Sequence, residues 1–311
     1  MRNKRLHNQF LHGQKNRKSF VIYIILCLFL VTPYSSIAQN IVYVKANATG
    51  SNNGTSWEDA YTSLPNALNN TVSGQLWVAS GTYKPGGQRN SKFHLRNNVA
   101  LYGGFSGTES SLDERDFRNN VTILSGDLGA MGRCYNVLLS NALDQTSILD
   151  GFTIIRGNAV GGGNDGTGGA ILFQSGSNAV VRNCIFRDNN ADNGGAVYIH
   201  GSSPLFENCI FYNNTCAVFG AAVHNYDGAS PVFKNCLFYN NISDNAGGAI
   251  MNYISCSPEF YNCTFGGNSA GQGGCTYNTT SSSPVFHNCI IWGNEAEYSG
   301  NQIYIGDTNS E

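Results

Sequence analysis

Short apolar segments alternate with Gly, Asn and Ser-Pro at a nearly constant period from about residue 168 to the end of the chain. An Asn-Cys pair marks each copy, and successive pairs are 25, 27, 27 and 26 residues apart. The pairs are Asn183-Cys184, Asn208-Cys209, Asn235-Cys236, Asn262-Cys263 and Asn288-Cys289. This period is typical of a solenoid, because one repeat cannot bury its apolar side alone and must stack on its neighbours.

Each repeat contains three strand-like pieces of three to five residues, separated by Gly, Ser-Pro or Asn. We therefore predict an all-β solenoid with three faces and about 26 residues per coil. Parallel pairing between coils places equivalent residues about 4.8 Å apart along the axis. At that spacing, a residue type repeated in the sequence becomes a column in the structure.

Two columns are predicted to fill the interior, namely the Cys of each pair and the residue two positions later (Phe186, Phe211, Phe238, Phe265 and Ile291). The residue between them is also mostly apolar, so the sequence leaves the direction of these side chains open. A third column is the Asn that follows each Cys by five residues (Asn189, Asn214, Asn241, Asn268 and Asn294). We expect its amides to hydrogen-bond from coil to coil, which is a structural role.

One repeated position is predicted to face outward. It precedes each Asn-Cys pair and is occupied by Arg182, Glu207, Lys234, Tyr261 and His287. Because its first three members alternate in charge on adjacent rungs, we predict a surface ladder of ion pairs here.

The chain before the regular repeats is predicted to form a strand at residues 40–45 and an amphipathic helix over residues 56–68, capped by Ser56 or Thr55. That helix would cover the open end of the first coil. A charged segment at residues 108–120 is interpreted as a loop projecting from the side. We predict one domain over residues 39–311, with an N-terminal strand and cap (39–75), irregular coils (76–167) and regular repeats (168–311). No polar cap follows residues 300–305, so further repeats or a sorting domain are expected after residue 311.

Residues 1–38 have the features of a signal peptide. A basic stretch precedes an apolar run at residues 20–31, and Ser36-Ile37-Ala38 forms an A-x-A-like cleavage site before Gln39. The run is too short for a good membrane span. The sequence therefore predicts an exported protein, located extracellularly or on the outer-membrane surface of a bacterium, that does not span a membrane once the signal is removed.

Charge excludes one class of partner. Without residues 1–38 the chain keeps 12 of its 18 Lys and Arg (18 − 6) and all 20 acidic residues, a net charge of −8. A nucleic-acid partner needs a basic surface, so none is expected. An acidic polysaccharide would also be repelled by the repeat region.

Nine cysteines remain after residue 38, and five of them belong to the Cys column. We interpret that column as small buried hydrophobes. Cys216, Cys256 and Cys275 lie off it and could pair, which the sequence does not decide. No Cys-x2-4-Cys spacing typical of zinc sites occurs, and no metal or cofactor is predicted.

Specific motifs resemble known families. Residues 194–197 (Gly-Gly-Ala-Val) with 211–214 (Phe-Tyr-Asn-Asn) resemble the repeats of polymorphic outer membrane proteins. The wider layout, including residues 77–83, 101–105 and 122–127, resembles right-handed parallel β-helix proteins of the pectin-lyase-like superfamily and secreted bacterial surface proteins. The resemblance covers nearly all of the chain after the signal and implies a right-handed parallel β-helix. It implies no single activity, because that superfamily includes lyases, glycosidases, adhesins and passive stalks.

No catalytic residues are predicted. A site similar to that of pectate lyases would need stacked carboxylates with a basic residue, but only Arg187 and Asp188 occur together in one repeat. The acidic group at Asp113, Glu114 and Asp116, with Arg115 and possible help from Asp127 and Asp150, is interpreted as a solvated loop.

A binding surface is predicted at the position that follows each Gly-Gly-Ala-Val-like element. It is occupied by Leu172, Tyr198, His224, Met251, Tyr277 and Tyr304. If it faces outward, Tyr198, His224, Tyr277 and Tyr304 form a stripe suited to sugar rings or to a protein partner. The alternative is that these rings pack on one another for stability.

Two functions remain open from the sequence. The first is a non-catalytic, exported adhesion or recognition protein that binds polysaccharide or a surface protein of a host or neighbouring cell. The alternative is a carbohydrate-active enzyme, a polysaccharide lyase or glycoside hydrolase, that works in a side groove of the solenoid.

Overall fold

Four short strands build each regular coil, and each strand runs parallel to its counterpart in the next coil. A computed structural model describes residues 40–306, apart from the side chain of Asn164. Over these residues the strands form four parallel sheets, here numbered 1 to 4 in the order in which a coil passes through them. The predicted signal peptide at residues 1–38 lies outside the described residues.

The four sheets have the following strands. Sheet 1 contains Ile41–Val44, Gly74–Ala79, Val99–Phe105, Ile148–Asp150, Val180–Arg182, Leu205–Glu207, Val232–Lys234, Glu259–Tyr261 and Val285–His287. Sheet 2 contains Gly81–Tyr83, Thr122–Ser125, Phe152–Ile155, Ile185–Arg187, Ile210–Tyr212, Leu237–Tyr239, Thr264–Gly266 and Ile290–Trp292. Sheet 3 contains Asn158–Ala159, Asn190–Asn193, Thr215–Phe219, Ile242–Ser243, Ser269–Gln272 and Glu295–Ser299. Sheet 4 contains Phe93–His94, Leu138–Asn141, Ile171–Gln174, Val197–His200, Val223–Tyr226, Ile250–Tyr253, Thr276–Thr279 and Ile303–Ile305.

The prediction of an all-β parallel solenoid is confirmed, but a regular coil has four strands where three were predicted. The additional strand belongs to sheet 3 and has a polar sequence, such as Asn190–Asn193, in which Ala191 is the fully buried residue. A strand with so little apolar alternation is recognisable only once its neighbours pair with it.

The corner between sheets 1 and 2 is made by the Asn of each Asn-Cys pair. Asn183, Asn208, Asn235, Asn262 and Asn288 all have a positive φ, between 51° and 54°. Asn tolerates this left-handed conformation better than most residues. The repeated Asn therefore turns the chain sharply and keeps the two strands on either side of it short.

The two predicted interior columns are confirmed. The column cysteines are buried or, at Cys289, half-buried, and all nine cysteines of the described chain are free thiols. The rings of Phe186, Phe211, Phe238 and Phe265 stack at 4.6–4.8 Å between centroids. The residue between Cys and Phe, such as Ile185, is half-buried on the outside. The direction left open by the sequence is thus settled by packing.

The closing Asn column is also confirmed as a hydrogen-bonded ladder. Asn214 Nδ2 donates to Asn241 Oδ1 at 3.0 Å, and Asn241 Nδ2 donates to Asn268 Oδ1 at 2.9 Å. The amides reach inward carbonyls as well, as in Asn241 Nδ2 to the Phe211 oxygen at 3.0 Å. Each of these side chains is at most 2 % exposed, so the ladder satisfies backbone groups that water cannot reach.

An α-helix covers the first coil, at Leu64–Asn70. Ser63 is its N-cap and accepts a hydrogen bond from the Asn66 amide at 3.3 Å, while Leu64, Ala67 and Leu68 pack into the core. The predicted start at residue 56 was wrong. The Glu58 and Asp59 carbonyls instead accept hydrogen bonds from loop amides at residues 50–54, so they cannot serve a helix.

Three short 3-10 helices complete the described elements, at Leu112–Glu114, Gly129–Met131 and Gly163–Gly166. Between residues 40 and 306 no helix has both the length and the apolarity needed to cross a lipid bilayer.

Candidate ligand-binding site

A long loop interrupts the corner between sheets 1 and 2 in an early coil, between the strands Val99–Phe105 and Thr122–Ser125. It contains the charged segment that was predicted to project from the side. The Glu109 carboxylate accepts hydrogen bonds from the amides of Ser106, Gly107 and Thr108 at 2.6–3.0 Å. Burial raises the pKa of Glu109, but these hydrogen bonds outweigh it and hold the pKa below its usual value. The acids of this loop therefore organise its own backbone.

A buried carboxylate ties the loop to the solenoid. Asp150 Oδ1 lies 2.9 Å from Arg115 Nη2 of the loop, and its Oδ2 lies 2.8 Å from Arg182 Nε of the next coil. Asn183 Nδ2 donates to Asp150 Oδ1 at 2.8 Å. The Asp150 side chain is only 2 % exposed, so both oxygens are occupied by protein donors and shielded from solvent.

Two glycines allow the loop to lie close to the sheets. A Cβ on Gly104, whose φ is +98°, would come within 2.5 Å of the Phe117 backbone. A Cβ on Gly151, whose φ is +83°, would lie 3.0 Å from Arg115 Nη1. Both positions beneath the loop therefore require glycine, because each combines a positive φ with too little space for a side chain.

The outward charged column follows the predicted register but not all of the predicted pairing. Glu207 and Lys234 approach to 3.8 Å, as expected for a ladder of alternating charge. Arg182 pairs with Asp150 instead of Glu207, because Asp150 occupies the same column one coil earlier. Of the acids grouped with Asp150 in the sequence, Asp127 pairs elsewhere, with Arg156.

Two cavities flank the loop. One of about 570 Å³ opens towards sheet 2, and one of about 410 Å³ opens towards sheet 1. The lining of the larger cavity combines apolar side chains with two amides and one charged side chain. These residues are Phe117, Val121, Ile185 and Ile210, the amides of Asn183 and Asn208, and Arg118. Cys184 also lines it, but burial raises the pKa of that thiol to about 12, so it stays protonated and unreactive.

The outward side of sheet 2 continues from this cavity along the axis; we call it the sheet 2 face, from Ile185 to Trp292. The Tyr212 and Tyr239 rings stack on it, with centroids 4.9 Å apart and planes 8° apart. The corner asparagines border it with a side-chain ladder at 3.2–3.3 Å. After Arg187 its outward residues are uncharged, namely Ile210, Tyr212, Leu237, Tyr239, Thr264, Gly266, Ile290 and Trp292.

The sequence analysis missed Tyr212 and Tyr239. The signal was present, because the element Phe-Tyr-Asn-Asn occurs at residues 211–214 and again at 238–241. Without the direction of the strand, however, the Tyr after each interior Phe could not be placed on a surface.

The family described as "Right handed beta helix region" matches residues 69–242 and 155–311. The chain belongs to this family. A solved structure similar to this right-handed β-helix is the pectin methylesterase from Aspergillus niger, in a penultimately deglycosylated form, with 17% identity over 87% of this chain and 86% of that chain and a TM-score of 0.34. No curated protein gives a significant match. The resemblance to polymorphic outer membrane protein repeats stays a prediction.

The predicted binding residues of this β-helix lie in one outward column of sheet 4, with Met251 between His224 and Tyr277. Tyr198 contacts His224 at 5.0 Å between ring centroids, and Tyr277 stacks on Tyr304 at 4.8 Å. His224 is 3 % and Met251 2 % exposed. The structure therefore places the four residues as two pairs, with the buried side chain of Met251 between them. Their role in binding stays a prediction.

Further tyrosines on sheet 4 were not predicted. Tyr226 and Tyr253 occupy the adjacent outward column, 5.8 Å apart between ring centroids, and Tyr226 also lies 6.1 Å from Tyr198. The repeated Asn-Tyr at residues 225–226 and 252–253 was the available signal. These contacts favour the alternative that the sheet 4 rings pack on one another.

His224 is a buried residue of the stripe formed by Tyr198, His224, Tyr277 and Tyr304. Tyr198, Phe219 and Tyr226 surround its ring, and within the described residues neither ring nitrogen has a hydrogen-bond partner. Burial lowers the pKa of His224 to about 3. The imidazole is therefore neutral in the folded protein over the physiological pH range.

The His224→Met variant should gain stability relative to the native protein as the pH falls. Because the folded-state pKa is below the unfolded value, the unfolded state binds the proton first, and native stability declines from about pH 6.5 downwards. At pH 5 the loss attributable to His224 is about 2 kcal/mol. Urea unfolding of both proteins at pH 8 and pH 5 measures it. Carboxylates affect both proteins alike, so an equal pH dependence would contradict this assignment.

Proposed function

We propose that this right-handed β-helix is a non-catalytic recognition protein that binds a neutral polysaccharide along the sheet 2 face. The observation that carries the proposal is the 570 Å³ cavity, which opens onto a face that is uncharged after Arg187 and carries the stacked rings of Tyr212 and Tyr239. Aromatic faces suit the apolar faces of sugar rings, and bordering amides can bind hydroxyl groups. The net charge of −8 after residue 38, from 12 basic and 20 acidic residues, favours a neutral ligand over an acidic one.

The predicted signal peptide supports a place for this activity outside the cytoplasm. An exported β-helix with a glycan-binding face would meet polysaccharides of the cell's own surface, of a neighbouring cell or of a host. The proposal therefore keeps adhesion or recognition as the outcome of binding.

The enzymatic alternative has one observation in its favour, which is the group of Asp150, Arg115 and Arg182 beside the smaller cavity. General acid–base catalysis requires a carboxyl group that reaches the substrate. Asp150 is 2 % exposed and both its oxygens are held by protein donors. Its position therefore supports an anchoring role for the loop over a catalytic one.

Replacing both Tyr212 and Tyr239 by alanine should weaken glycan binding by at least about tenfold, since two stacking surfaces are lost. The matched control is the double variant Tyr277→Ala with Tyr304→Ala, which removes the stacked pair from sheet 4. Binding of each purified protein to a panel of neutral and uronate oligosaccharides, measured by calorimetry, gives the comparison.

The same panel separates the alternatives. A loss of binding confined to the sheet 4 variant would move the site to the originally predicted stripe. Release of reducing or unsaturated sugar ends, abolished by Asp113→Asn or Asp150→Asn, would replace recognition by catalysis.

A further inference from the structure

The column of rings on the sheet 2 face is interrupted at one coil. Tyr212, Tyr239, Gly266 and Trp292 are register partners on successive coils. Tyr212 and Tyr239 stack at 4.9 Å, the next coil supplies only a hydrogen at Gly266, and the coil after that supplies Trp292. An aromatic residue is thus missing at a single rung between two others.

The interruption has the width of one ring. Strands in a sheet are about 4.8 Å apart, so the strands that carry Tyr239 and Trp292 are separated by about 9.6 Å, or two rungs. A Cβ placed on Gly266 would meet nothing within 4 Å except the Trp292 carbonyl oxygen at 3.5 Å. We call this space the Gly266 slot.

Both outward positions of this strand carry small residues. Thr264 stands where the preceding coil has Leu237 and the following coil has Ile290. Ile290 and Trp292 belong to the last described strand of sheet 2 and form the far side of the same gap. The slot is therefore a trench with apolar walls and a floor of backbone, in which Thr264 provides a hydroxyl group.

We propose that the Gly266 slot is a subsite for one pyranose ring of glucose configuration within the bound glycan, an inference that rests on the proposed function. Side chains on both sides of the slot would cover both faces of the ring. The ring must therefore be apolar on both faces, which requires that all its hydroxyl groups are equatorial. Equatorial groups lie in the ring plane and can reach Thr264, the backbone and solvent.

An axial hydroxyl group would be pressed against one of the aromatic walls. A polar group buried without a hydrogen bond is strongly disfavoured. The slot should therefore discriminate against galactose-configured and mannose-configured rings, which carry an axial hydroxyl group, by about tenfold. The absence of charge on this part of the face is consistent with a neutral ring.

The Gly266→Tyr variant tests the slot directly, because it completes the column of rings and fills the space. Gly266 lies in a strand and has no left-handed φ, and its Cβ position is open, so the substitution is compatible with the fold. We expect it to weaken binding of a glucose-configured oligosaccharide, cellotetraose, by about tenfold and to remove the preference over β-1,4-galactotetraose and mannotetraose. Gly266→Ala is the control and should retain most of the affinity for cellotetraose and most of the preference for it.

Trp292 supplies a second readout. Trp77 is 2 % exposed and Trp57 is half-buried, so Trp292 is the tryptophan most open to collisional quenchers in the described chain. Cellotetraose should protect its fluorescence from acrylamide in the native protein and in Gly266→Ala, but not in Gly266→Tyr.

The outcomes distinguish the two proposals. If Tyr212→Ala with Tyr239→Ala weakens binding while Gly266→Tyr leaves both affinity and sugar preference unchanged, the slot is wrong and the binding face stands. If the native protein binds another neutral oligosaccharide of the panel but not cellotetraose, only the slot is overturned. If it binds no neutral oligosaccharide of the panel, both proposals are overturned. Loss of the glucose preference together with loss of Trp292 protection in Gly266→Tyr would support the slot.

Discussion

Replacing Asn241 by alanine should lower the free energy of unfolding by about 3–4 kcal/mol. Its Nδ2 donates to the Phe211 oxygen at 3.0 Å and to Asn268 Oδ1 at 2.9 Å. Its Oδ1 accepts from the amide of Asn214 at 3.1 Å and from Asn214 Nδ2 at 3.0 Å. Asn241 is fully buried, so alanine would leave several partners without water to replace the lost bonds. Denaturant unfolding of the variant measures the loss.

A matched Asn→Ala change is available on the surface. Asn69 lies exposed in the helix Leu64–Asn70, where alanine is the better helix former. We expect Asn69→Ala to change stability by about 0.5 kcal/mol or less. If Asn241→Ala cost no more than this control, the buried ladder would contribute little beyond filling space.

Replacing Phe238 by alanine should cost about 3–5 kcal/mol. The ring is fully buried and stacks on Phe211 at 4.7 Å and on Phe265 at 4.6 Å, so its removal leaves a cavity in the middle of a column. In a solenoid each coil contacts only its neighbours, so the damage should centre on the coils that flank the cavity. Denaturant unfolding gives the total cost, and amide hydrogen exchange shows which coils lose protection.

The next residue in the chain is the control. Tyr239 belongs to the same strand but points outward and is half-buried. Tyr239→Ala should cost about 1 kcal/mol or less. Equal costs for the two changes would contradict the assignment of inward and outward positions on which the proposed binding face depends.

The scaffold and the proposed binding surface occupy different positions of the same repeat. The repeated Cys, Phe and Asn side chains are inside and hold the coils together. Outward positions are freer to vary, and there the chain places the Tyr212–Tyr239 stack, the Gly266 slot and the column that includes Asp150 and Arg182. A right-handed β-helix can therefore change its ligand without changing its core.

The irregular early coils contribute what the repeats cannot. The ion pair between Arg115 and Asp150 holds the loop before Thr122 in place. The loop also packs closely against the glycines at positions 104 and 151. Because it is fixed, it provides a wall at the end of an otherwise open sheet face. A ligand that binds along the sheet 2 face would meet this wall at the 570 Å³ cavity.

The sequence by itself determined the architecture of this protein. The period of the Asn-Cys pairs predicts a parallel solenoid, and a residue repeated at that period forms a column, which is why the Cys, Phe and Asn columns were predictable. The Ser63 cap and the sheet 3 strands were not predictable from the sequence. Hydrogen bonds in the preceding loop determine where the helix begins, and pairing with neighbouring strands determines the sheet 3 strands.

Tertiary structure alone decided the candidate site. Contacts such as Arg115 with Asp150 join residues 35 positions apart, and no spacing rule predicts them. The predicted stripe on sheet 4 was a correct column, yet the burial of His224 depends on Phe219 and Tyr226 covering it. Periodicity specifies which residues align, whereas exposure depends on what lies above them. For this reason the repeats revealed the core, and only the folded chain revealed the loop-walled cavity, the Tyr212–Tyr239 stack and the slot at Gly266.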